Sequence, residues 1–554
     1  MLLKVQEKSG YNASKLPPYE FSYFSNGFTI PGYGKSHTDH WGFNNGKLIN
    51  VATDFSNVAS YGVTQRSPAQ LEGHLRVGSL TQIKYPTGGV TKFRFEPHKY
   101  AKEVKLKRWE GEDSFGSNLI AGGLRIKEVH SFDPALAIPT VIKKYFYLAT
   151  FNPANPDTSA AALSSGVLGG KAQYYWPDYK PLPSASNVTV EEDIFSTQSV
   201  LPASENSMGS HIGYSQVIER SSTEGWIVHK FSNFDNGYRD EAPSGFLQPS
   251  TTPYQPYNNK AFTRGKPLSE EHFFQNGNIV SKTTHLYNLV GSINDYTARS
   301  VKTQFTTLCN TANSVFEGTA YIIDCRKFLP TEIAIYYYDQ DNPAAMAPSV
   351  QNFTYWPNGQ LYIAGQNDSR GRLIKTWYKY PSNLADAISI AMVAKNIVGP
   401  VREIFKYTGT EAAPMPIKTT SILYDLFSGA YQPQKVMTKL ASAASFNTDV
   451  EFLSYDARGN LLTYKKQNGL TNKLEYYGLA DAGKVDLLKK STTADGTAIS
   501  QSSLFNYKPA IGVETIQDPN GKTNFYEYDN FNRLKTQRTS NAGGPIRVLW
   551  AFAT

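Results

Sequence analysis

Four aspartates are the first candidates for chemistry in this sequence, because a carboxylate can act as an acid, a base or a metal ligand. Three of them have a glycine three positions later, in the stretches DSRG, DARG and DPNG. The four are Asp368 with Gly371, Asp456 with Gly459, Asp518 with Gly521, and Asp529 in the stretch YDNFNRL. One explanation should account for all of them.

The spacing of aspartate and glycine is typical of a type I turn. Asp favours the first position because its side chain accepts hydrogen bonds from backbone N–H groups, and glycine favours the left-handed conformation that closes the turn. Such a turn joins the two strands of a short β-hairpin. A related tetrad, WPNG at 356–359, has Trp in place of Asp. Since Trp cannot replace a catalytic carboxylate, the pattern predicts mechanical turns.

The stretch HTDHWG contains other residues of metal-ligating type, His37, Asp39 and His40, with His74 and His98 further along the chain. These types could bind zinc, but the spacing of the first two histidines matches no zinc motif outside a helix, and the stretch follows a loop-like segment. The segment GYGKS lacks the first glycine of a phosphate-binding loop. The sequence therefore predicts no metal, no cofactor and no catalytic residues, and a protein that is not an enzyme.

Composition argues against several further function classes. Lys and Arg number 55 against 47 Asp and Glu, which leaves a net charge of +8 over 554 residues without a basic run, so nucleic acid is not a predicted partner. No apolar stretch is long enough for a transmembrane segment, and no signal peptide is visible. The two cysteines, Cys309 and Cys325, could close a hairpin loop with a disulfide or be two unrelated thiols.

Period-two alternation of apolar and charged residues dominates the chain and predicts strands. In TKFRFEPHKY, Phe93 and Phe95 share one face, and an aromatic content of 13% also favours strands over helices. The best helix candidate lies near 384–398 and stops at the Gly-Pro pair that follows. Loops rich in Pro, Ser and Asn suggest soft boundaries between regions. The predicted regions are a β-rich N-terminal region at 1–240, a connecting β-hairpin region at 241–349, and a degenerate repeat strip at 350–554.

Tyrosines recur at a fixed interval near the end of the chain. Tyr455 and Tyr476 are 21 residues apart, and so are Tyr507 and Tyr528. Each pair encloses a turn and a G-x-T element, a length that accommodates two strands of about seven residues. Successive hairpins must pair edge to edge to cover their exposed edges. The sequence thus predicts a mainly β fold with few helices: a long strip of antiparallel β-hairpins that curls into a shell or an open barrel.

The segments YDARGNLLTYKKQNGLTNKLEYYG and DPNGKTNFYEYDNFNRLKTQ resemble the YD repeats of the bacterial RHS family, whose consensus has a YDxxGRL element followed by a glycine and a second tyrosine. The resemblance covers 350–380 and 450–554, and upstream segments such as YPTGGVTKFRFEPHKY are similar to the region that precedes the repeats. Two positions depart from the family pattern. Asn532 stands where the family has Gly, and Tyr477 rather than Asp follows the second tyrosine of the first unit.

The resemblance implies both an architecture and a function. In RHS and insecticidal toxin-complex proteins the repeats form a hollow β-shell, and in polymorphic-toxin members the shell encloses a C-terminal toxin. It implies a non-catalytic, encapsulating scaffold of a secreted or surface-exposed bacterial protein, with its export signal outside this fragment and its own C-terminal cargo or toxin domain as partner. The alternative is a cell-surface adhesin or carbohydrate-binding module that binds surface carbohydrate through exposed Trp176, Trp226 and Trp356.

Overall fold

A computed structural model of the chain confirms a mainly β fold with few helices. The residues that it describes are 1–6, 17–32, 38–47, 66–69, 72–170, 172, 174–181, 189–195, 210–222, 225–245, 256–307, 314–339, 346–467, 469–481, 483–529, 534–540 and 547–551. Within these ranges, no helix is both long enough and apolar enough to cross a membrane.

The described residues form 32 strands, most of them between five and fifteen residues long. In chain order they are β1 (Lys4–Val5), β2 (Tyr19–Tyr23), β3 (Leu80–Lys84), β4 (Val90–Val104), β5 (Glu112–Phe132), β6 (Val141–Phe146), β7 (Gly166–Leu168), β8 (Tyr175–Pro181), β9 (Thr189–Phe195), β10 (Ile212–Tyr214), β11 (Gln216–Ser221), β12 (Trp226–Phe231), β13 (Pro267–Phe273), β14 (Ile279–Val290), β15 (Thr297–Thr307), β16 (Ser314–Asp324), β17 (Lys327–Tyr338), β18 (Met346–Tyr355), β19 (Leu361–Asn367), β20 (Leu373–Lys379), β21 (Glu403–Gly409), β22 (Pro414–Phe427), β23 (Ala430–Leu440), β24 (Asn447–Tyr455), β25 (Leu461–Lys466), β26 (Thr471–Tyr476), β27 (Leu488–Thr493), β28 (Gln501–Lys508), β29 (Gly512–Gln517), β30 (Thr523–Tyr528), β31 (Leu534–Ser540) and β32 (Arg547–Ala551).

Helices are short and few in the described ranges. The two α-helices are α1 (Glu72–Arg76) and α2 (Ala387–Ala394), and the second lies inside the stretch 384–398 where the sequence predicts a helix. Asp386 caps α2, because its carboxylate accepts a hydrogen bond from the backbone N–H of Ser389 at 3.0 Å. Single turns of 3-10 helix occur at Arg108–Glu110, Phe234–Asn236, Ala261–Thr263 and Pro381–Asn383.

Of the 32 strands, 28 form one sheet, which confirms the predicted strip. All but β7 and β10 follow one another in a single line of antiparallel pairs: β1 to β6, then β11 to β14, then β17 to β32. Among the described strands no pairing joins β1 to β32, so the strip is open along its length. Neighbours in sequence are thus neighbours in the sheet, as expected when each hairpin covers the edge of the one before it.

The sheet branches near its beginning, where two short strands join it outside the main line of pairs. Strand β7 pairs with β4 in parallel through Lys102 and Val167, and β10 continues from β7. Buried side chains gather there in three clusters. They are Tyr100, Ala121, Leu168 and Ile212; Leu148, Ile218, Trp226 and Val228; and Val104, Val167 and Phe234. These three clusters form the hydrophobic core of the described residues.

Two hairpins stand apart from the large sheet, β8 with β9 and β15 with β16. The register of the second runs from Thr297 opposite Asp324 to Thr307 opposite Ser314. Cys325 therefore follows the base of this hairpin and is exposed. Cys309 lies outside the described residues, but Thr307, two positions before it, is at the far end of the hairpin from Cys325, which is a free cysteine. This register does not fit the disulfide that the sequence left open, because the Cα atoms of bonded cysteines lie within about 7 Å of each other.

The large sheet runs without interruption past both predicted boundaries. Strand β12 pairs with β13 although residues 240 and 241 lie between them in the chain, and residues 349 and 350 are both part of β18. The three regions inferred from composition therefore contribute strands to one sheet. The division of the chain into three domains stays a prediction.

Candidate functional site

The tetrad at Asp456 forms a hydrogen-bonded turn between β24 and β25. Its Oδ1 atom accepts hydrogen bonds from the backbone N–H groups of Arg458 and Asn460 at 2.8 and 2.9 Å. The N–H of Gly459 donates to the carbonyl oxygen of Asp456 at 3.1 Å. The carboxylate is thus used by the turn that it begins.

The other two complete tetrads repeat this geometry. Asp518 accepts hydrogen bonds from the backbone N–H groups two and four positions later, at 3.0 and 2.8 Å. Asp368 does the same, and the guanidinium of Arg372 adds a bond to Oδ2 at 2.9 Å. The backbone N–H of Arg372, helped by that of Arg370 and by the Arg372 guanidinium, holds the pKa of Asp368 below its usual range. The glycines that close the turns all have left-handed φ angles: +75° for Gly371, +87° for Gly459 and +77° for Gly521.

A second recurring contact ties the end of a hairpin to the strand behind it. The hydroxyl of Tyr355 donates to the carbonyl oxygen of Pro330 at 2.6 Å, and that of Tyr455 donates to the carbonyl oxygen of Pro433 at 2.7 Å. Each proline lies beside a register shift in its strand pair. Proline has no N–H to donate, so it is tolerated in a sheet at such an irregular position. Burial raises the pKa of Tyr455 to about 12, so its hydroxyl remains a donor.

Two more tyrosine hydroxyls further along the strip also donate to backbone carbonyl oxygens. The hydroxyls of Tyr477 and Tyr528 donate to the carbonyl oxygens of Phe505 and Val513, both at 2.8 Å. The repeat residue Tyr476 ends β26 opposite Leu488, and the ring of Tyr507 packs edge-on against that of Tyr477 with centroids 6.2 Å apart. Asp529 follows β30, and the rest of its stretch, 530–533, lies outside the described residues. Tyr528 thus repeats the contact of Tyr355 and Tyr455 with the preceding strand, whereas Tyr477, one position after the repeat residue Tyr476, bonds to β28, which comes later in the chain.

The tryptophans expected to serve a binding surface are in different environments. Trp226 is 4% exposed and belongs to the core, so its expected position on an exposed loop is wrong. Alternation in β12 turns its ring inward, toward Ile218 and Phe146. Trp356 is half-buried, and its Nε1–H donates to the carbonyl oxygen of Tyr378 at 3.2 Å. The side chain of Trp176 lies outside the described part of the structure.

The histidines that the sequence singled out lie in separate environments. The Nδ1 atom of His40 lies 3.0 Å from the hydroxyl of Tyr174, and burial, assisted by nearby positive charge, lowers the pKa of His40 to about 4. The ring of His74 packs edge-on against Phe28. His37 lies outside the described residues. Within the described ranges, no three His, Cys, Asp or Glu side chains are grouped closely enough to hold a metal ion.

His98 belongs to a buried polar cluster that we call the imidazole–phenol cluster: His98, His211, Tyr214, Arg125 and Glu96. The Nδ1 atom of His98 lies 2.8 Å from the Tyr214 hydroxyl, which also accepts a bond from Arg125 at 3.2 Å. Arg125 donates to Glu96 at 2.8 Å. Burial, with the neighbouring imidazole and guanidinium, lowers the pKa of His98 to about 3. The cluster is therefore held by a neutral imidazole and a paired guanidinium.

Asp39 docks the segment at 38–47 onto β5. Its Oδ1 atom accepts hydrogen bonds from the backbone N–H groups of Trp41 and Phe43 at 2.9 and 3.0 Å. Its Oδ2 atom is buried without a hydrogen-bond partner among the described residues and lies against Gly122, where a Cβ atom would come within 2.0 Å of it. Burial raises the pKa of Asp39 to about 6. Glycine is thus required at 122 for the carboxylate to fit.

A buried ion network joins β4, β7 and β13 through the loops between them. The two oxygens of the Asp240 carboxylate accept hydrogen bonds from Arg108 at 2.8 Å and from Arg264 at 3.0 Å. Both guanidinium groups also lie over the ring of Phe234. The side chains of Asp240 and Arg264 have no exposed area. Each charge is therefore stabilised by the opposite charge and not by water.

Sequence reasoning missed these buried clusters because their members are far apart along the chain. Tyr214 follows its partner His98 by 116 positions, and Asp240 follows Arg108 by 132. No short motif links them. The structure brings them together through the pairing of β4 with β5 and β7.

The fold and these contacts define the described chain as an open strip of antiparallel hairpins with polar contacts at its turns. No family model and no curated protein matches the chain. Solved structures that it resembles are the crystal structure of TcdB2-TccC3-TEV (TM-score 0.39, 9% identity, 85% of this chain and 25% of that one) and that of TcdB2-TccC3 (0.21, 9%, 97% and 35%). A third is the Photorhabdus luminescens Tc holotoxin pore (0.21, 10%, 87% and 26%). The chain thus spans about a quarter to a third of each matched chain.

Proposed function

We propose that this chain is a non-catalytic structural scaffold of a secreted or surface-exposed bacterial RHS-type protein, in which the hairpin strip houses or displays another domain. The observation that carries the proposal is the single line of antiparallel pairs from β1 to β32. Such a strip has two broad faces and can be lengthened by adding hairpins, which suits a wall better than a catalytic centre.

The turn residues support a mechanical role. Asp368, Asp456 and Asp518 each bind the backbone of their own turn, so none presents a free carboxylate pair of the kind that general acid–base catalysis uses. A cavity of about 230 Å³ between β5 and the loop at 158–164 contains two carboxylates, of Glu96 and Glu128. Both are ion-paired with arginines, at 2.8 and 3.2 Å.

The partner in this proposal is the protein's own C-terminal cargo or toxin domain. The test fuses a folded reporter domain to the C-terminus of the chain through a protease-sensitive linker, with the same reporter and linker free in solution as the control. A scaffold that encloses its partner slows cleavage of the linker relative to the control. Equal cleavage rates would contradict enclosure and leave display as the role of the strip.

Localisation at the cell surface or outside the cell is tested separately. In the bacterium that makes the protein, fractionation of culture medium and protease treatment of intact cells are expected to find the chain outside the cytoplasm. Recovery of the chain only from lysed, protease-protected cells would contradict this part of the proposal.

The second candidate function is a surface adhesin or carbohydrate-binding module. It is favoured by an open groove of about 520 Å³ on one face of β18 to β21, which contains the rings of Phe353 and Tyr378. Binding of the chain to cells that carry surface glycans, abolished by enzymatic removal of those glycans, would support this function. A scaffold alone predicts no such binding.

A further inference from the structure

The groove on β18 to β21 differs from the rest of the strip in the side chains that it gathers. Its volume is about 520 Å³, and it is open along one side of the sheet. The polar residues that line it are Gln351, Gln366, Asn367, Asp368, Thr376 and Lys406, and the aromatic residues are Phe353 and Tyr378.

The strand register explains why a groove forms at this place. Phe353 of β18, Ala364 of β19, Thr376 of β20 and Lys406 of β21 lie side by side in one row across the sheet. Because alternate residues of a strand share a face, Gln351 and its partner in β19 lie on the same face one row away. The short side chain of Ala364 leaves the floor low between larger neighbours, and the groove is the space above it.

Most polar groups of the groove have no partner within the protein. The side chains of Gln351, Gln366, Asn367, Thr376 and Lys406 make no hydrogen bond or ion pair within the described part of the chain. Each amide has two N–H donors and a carbonyl acceptor, so the groove offers both kinds of group at several points. The exception is the carboxylate of Asp368, which its own turn and Arg372 occupy.

We infer that this groove binds a neutral oligosaccharide. A sugar ring has an apolar C–H face that packs on an aromatic ring, and hydroxyl groups that both donate and accept hydrogen bonds. Phe353 and Tyr378 supply the rings, and the amides of Gln351 and Gln366 and the hydroxyl of Thr376 supply the donors and acceptors. A few placed polar groups around an apolar surface are what ligand sites in proteins provide.

The pairing of the strands argues against a peptide that adds to the sheet. Each of β18, β19, β20 and β21 is hydrogen-bonded to a neighbour on both sides, so no free strand edge borders the groove. Recognition by strand addition needs such an edge. The groove also has one unpaired cation, Lys406, where a nucleic acid would need several. The absence of a free strand edge and the single cation both favour an uncharged ligand that is bound by side chains alone.

This inference rests on the second candidate function and deepens it by naming the class of ligand. It is independent of the scaffold role, because the groove is a local feature of four strands whatever the strip encloses. The test applies the whole chain to an immobilised array of neutral oligosaccharides: glucans, mannans, galactans and oligomers of N-acetylhexosamine. Two further arms of the array are acidic glycans and extended peptides. We expect binding to at least one neutral series, which is then measured in solution by titration with that oligosaccharide.

Two exposed or half-exposed amides provide the decisive variants. Gln351→Ala and Gln366→Ala each remove hydrogen-bonding groups without touching the core, and each is expected to weaken binding about tenfold. The matched control is Asn352→Ala, an exposed amide next to Gln351 in β18 but on the opposite face of the sheet. The control is expected to bind as the unchanged chain does.

Three results would overturn the inference: no binding to any neutral oligosaccharide on the array, binding confined to the acidic glycans or the peptides, or equal loss in the control and the groove variants. The β-sheet content of each variant, measured by circular dichroism, separates a lost contact from a lost fold. Because none of these outcomes depends on an enclosed cargo, failure of the groove and failure of the scaffold role are distinguishable.

Discussion

The region at 38–273 and the hairpin strip at 346–540 belong to one sheet but are held together in different ways. In the first region, several apolar side chains are completely buried, among them Val104, Val167 and Ile218. In the strip, strands such as β25, β26 and β30 have nearly every side chain half-buried, whichever face it occupies. Burial thus stabilises the first region most, whereas turns and contacts between adjacent hairpins carry more of the stability of the strip.

The difference shows why sequence motifs are visible in one region and not in the other. A turn such as that at Asp456 is complete within five residues, so its sequence pattern repeats wherever the turn repeats. The network around Asp240 depends on partners more than twenty positions away in both directions. Local contacts leave local signatures, and packing between distant strands does not.

The largest expected effect is the loss of the buried charge that holds two arginines in the first region. Asp240→Asn leaves Arg108 and Arg264 without their carboxylate in a site with almost no exposed area, and it is expected to lower the free energy of unfolding by about 3–5 kcal/mol. Urea denaturation, followed by hydrogen exchange to locate the change, is the measurement.

The control for this variant lies in the strip. Asp486→Asn removes the exposed partner of Arg458, an ion pair of 2.9 Å, at a left-handed position that Asn tolerates well. A cost of roughly 0–1 kcal/mol is expected there. Equal costs for Asp240→Asn and Asp486→Asn would remove the distinction between a buried and an exposed charge on which the comparison depends.

Acid should weaken the first region before it weakens the strip. Burial lowers the pKa values of His98 and His40 to about 3 and 4, so the folded protein binds fewer protons than the unfolded chain, and stability is lost as the pH falls below about 6.5. The pKa of Asp39 is raised to about 6, so protonation of its carboxyl stabilises the folded protein as the pH falls. This gain offsets only part of the loss from the two histidines. The net loss is expected to be roughly 4 kcal/mol by pH 4.

The strip should respond at lower pH. The pKa values of Asp368 and Asp456 are lowered by their turns, so their contribution is present above the ordinary carboxyl pKa and is lost only below it. Hydrogen exchange at several pH values, corrected for intrinsic rates, separates the two regions. Simultaneous loss of protection in both regions would contradict separate titrating groups.

How much the sequence could predict follows the same division. The strip of antiparallel hairpins, the scarcity of helices and a helix within 384–398 could be inferred from period-two patterns and turn signals. The inward position of Trp226 could not, because its neighbours Phe146 and Ile218 come from other strands. The same holds for the partners of His98, and for the groove around Ala364, which depends on the register of four strands.

A smaller effect is expected from the turn glycines of the repeats. Gly371 and Gly399 both have open space where a Cβ atom would be added, but only Gly371 has a left-handed φ, of +75°. Gly371→Ala is expected to cost about 1–2 kcal/mol through backbone strain. Gly399→Ala should be neutral or slightly stabilising, because it restricts the unfolded chain. Similar unfolding midpoints for the two variants in urea would show that the left-handed turn contributes little.

The smallest expected effect on the free energy of unfolding comes from removing a tyrosine hydroxyl. It depends on whether that hydroxyl has a hydrogen-bond partner. Tyr455→Phe removes the hydrogen bond to Pro433 and is expected to cost about 1 kcal/mol. Tyr407→Phe removes a buried hydroxyl that has no hydrogen-bond partner among the described residues, so it should change the free energy of unfolding little or raise it. Urea denaturation of both variants gives the two differences. If both substitutions cost the same, the ring alone matters in the strip, and the recurring tyrosine contact is not what joins one hairpin to the next.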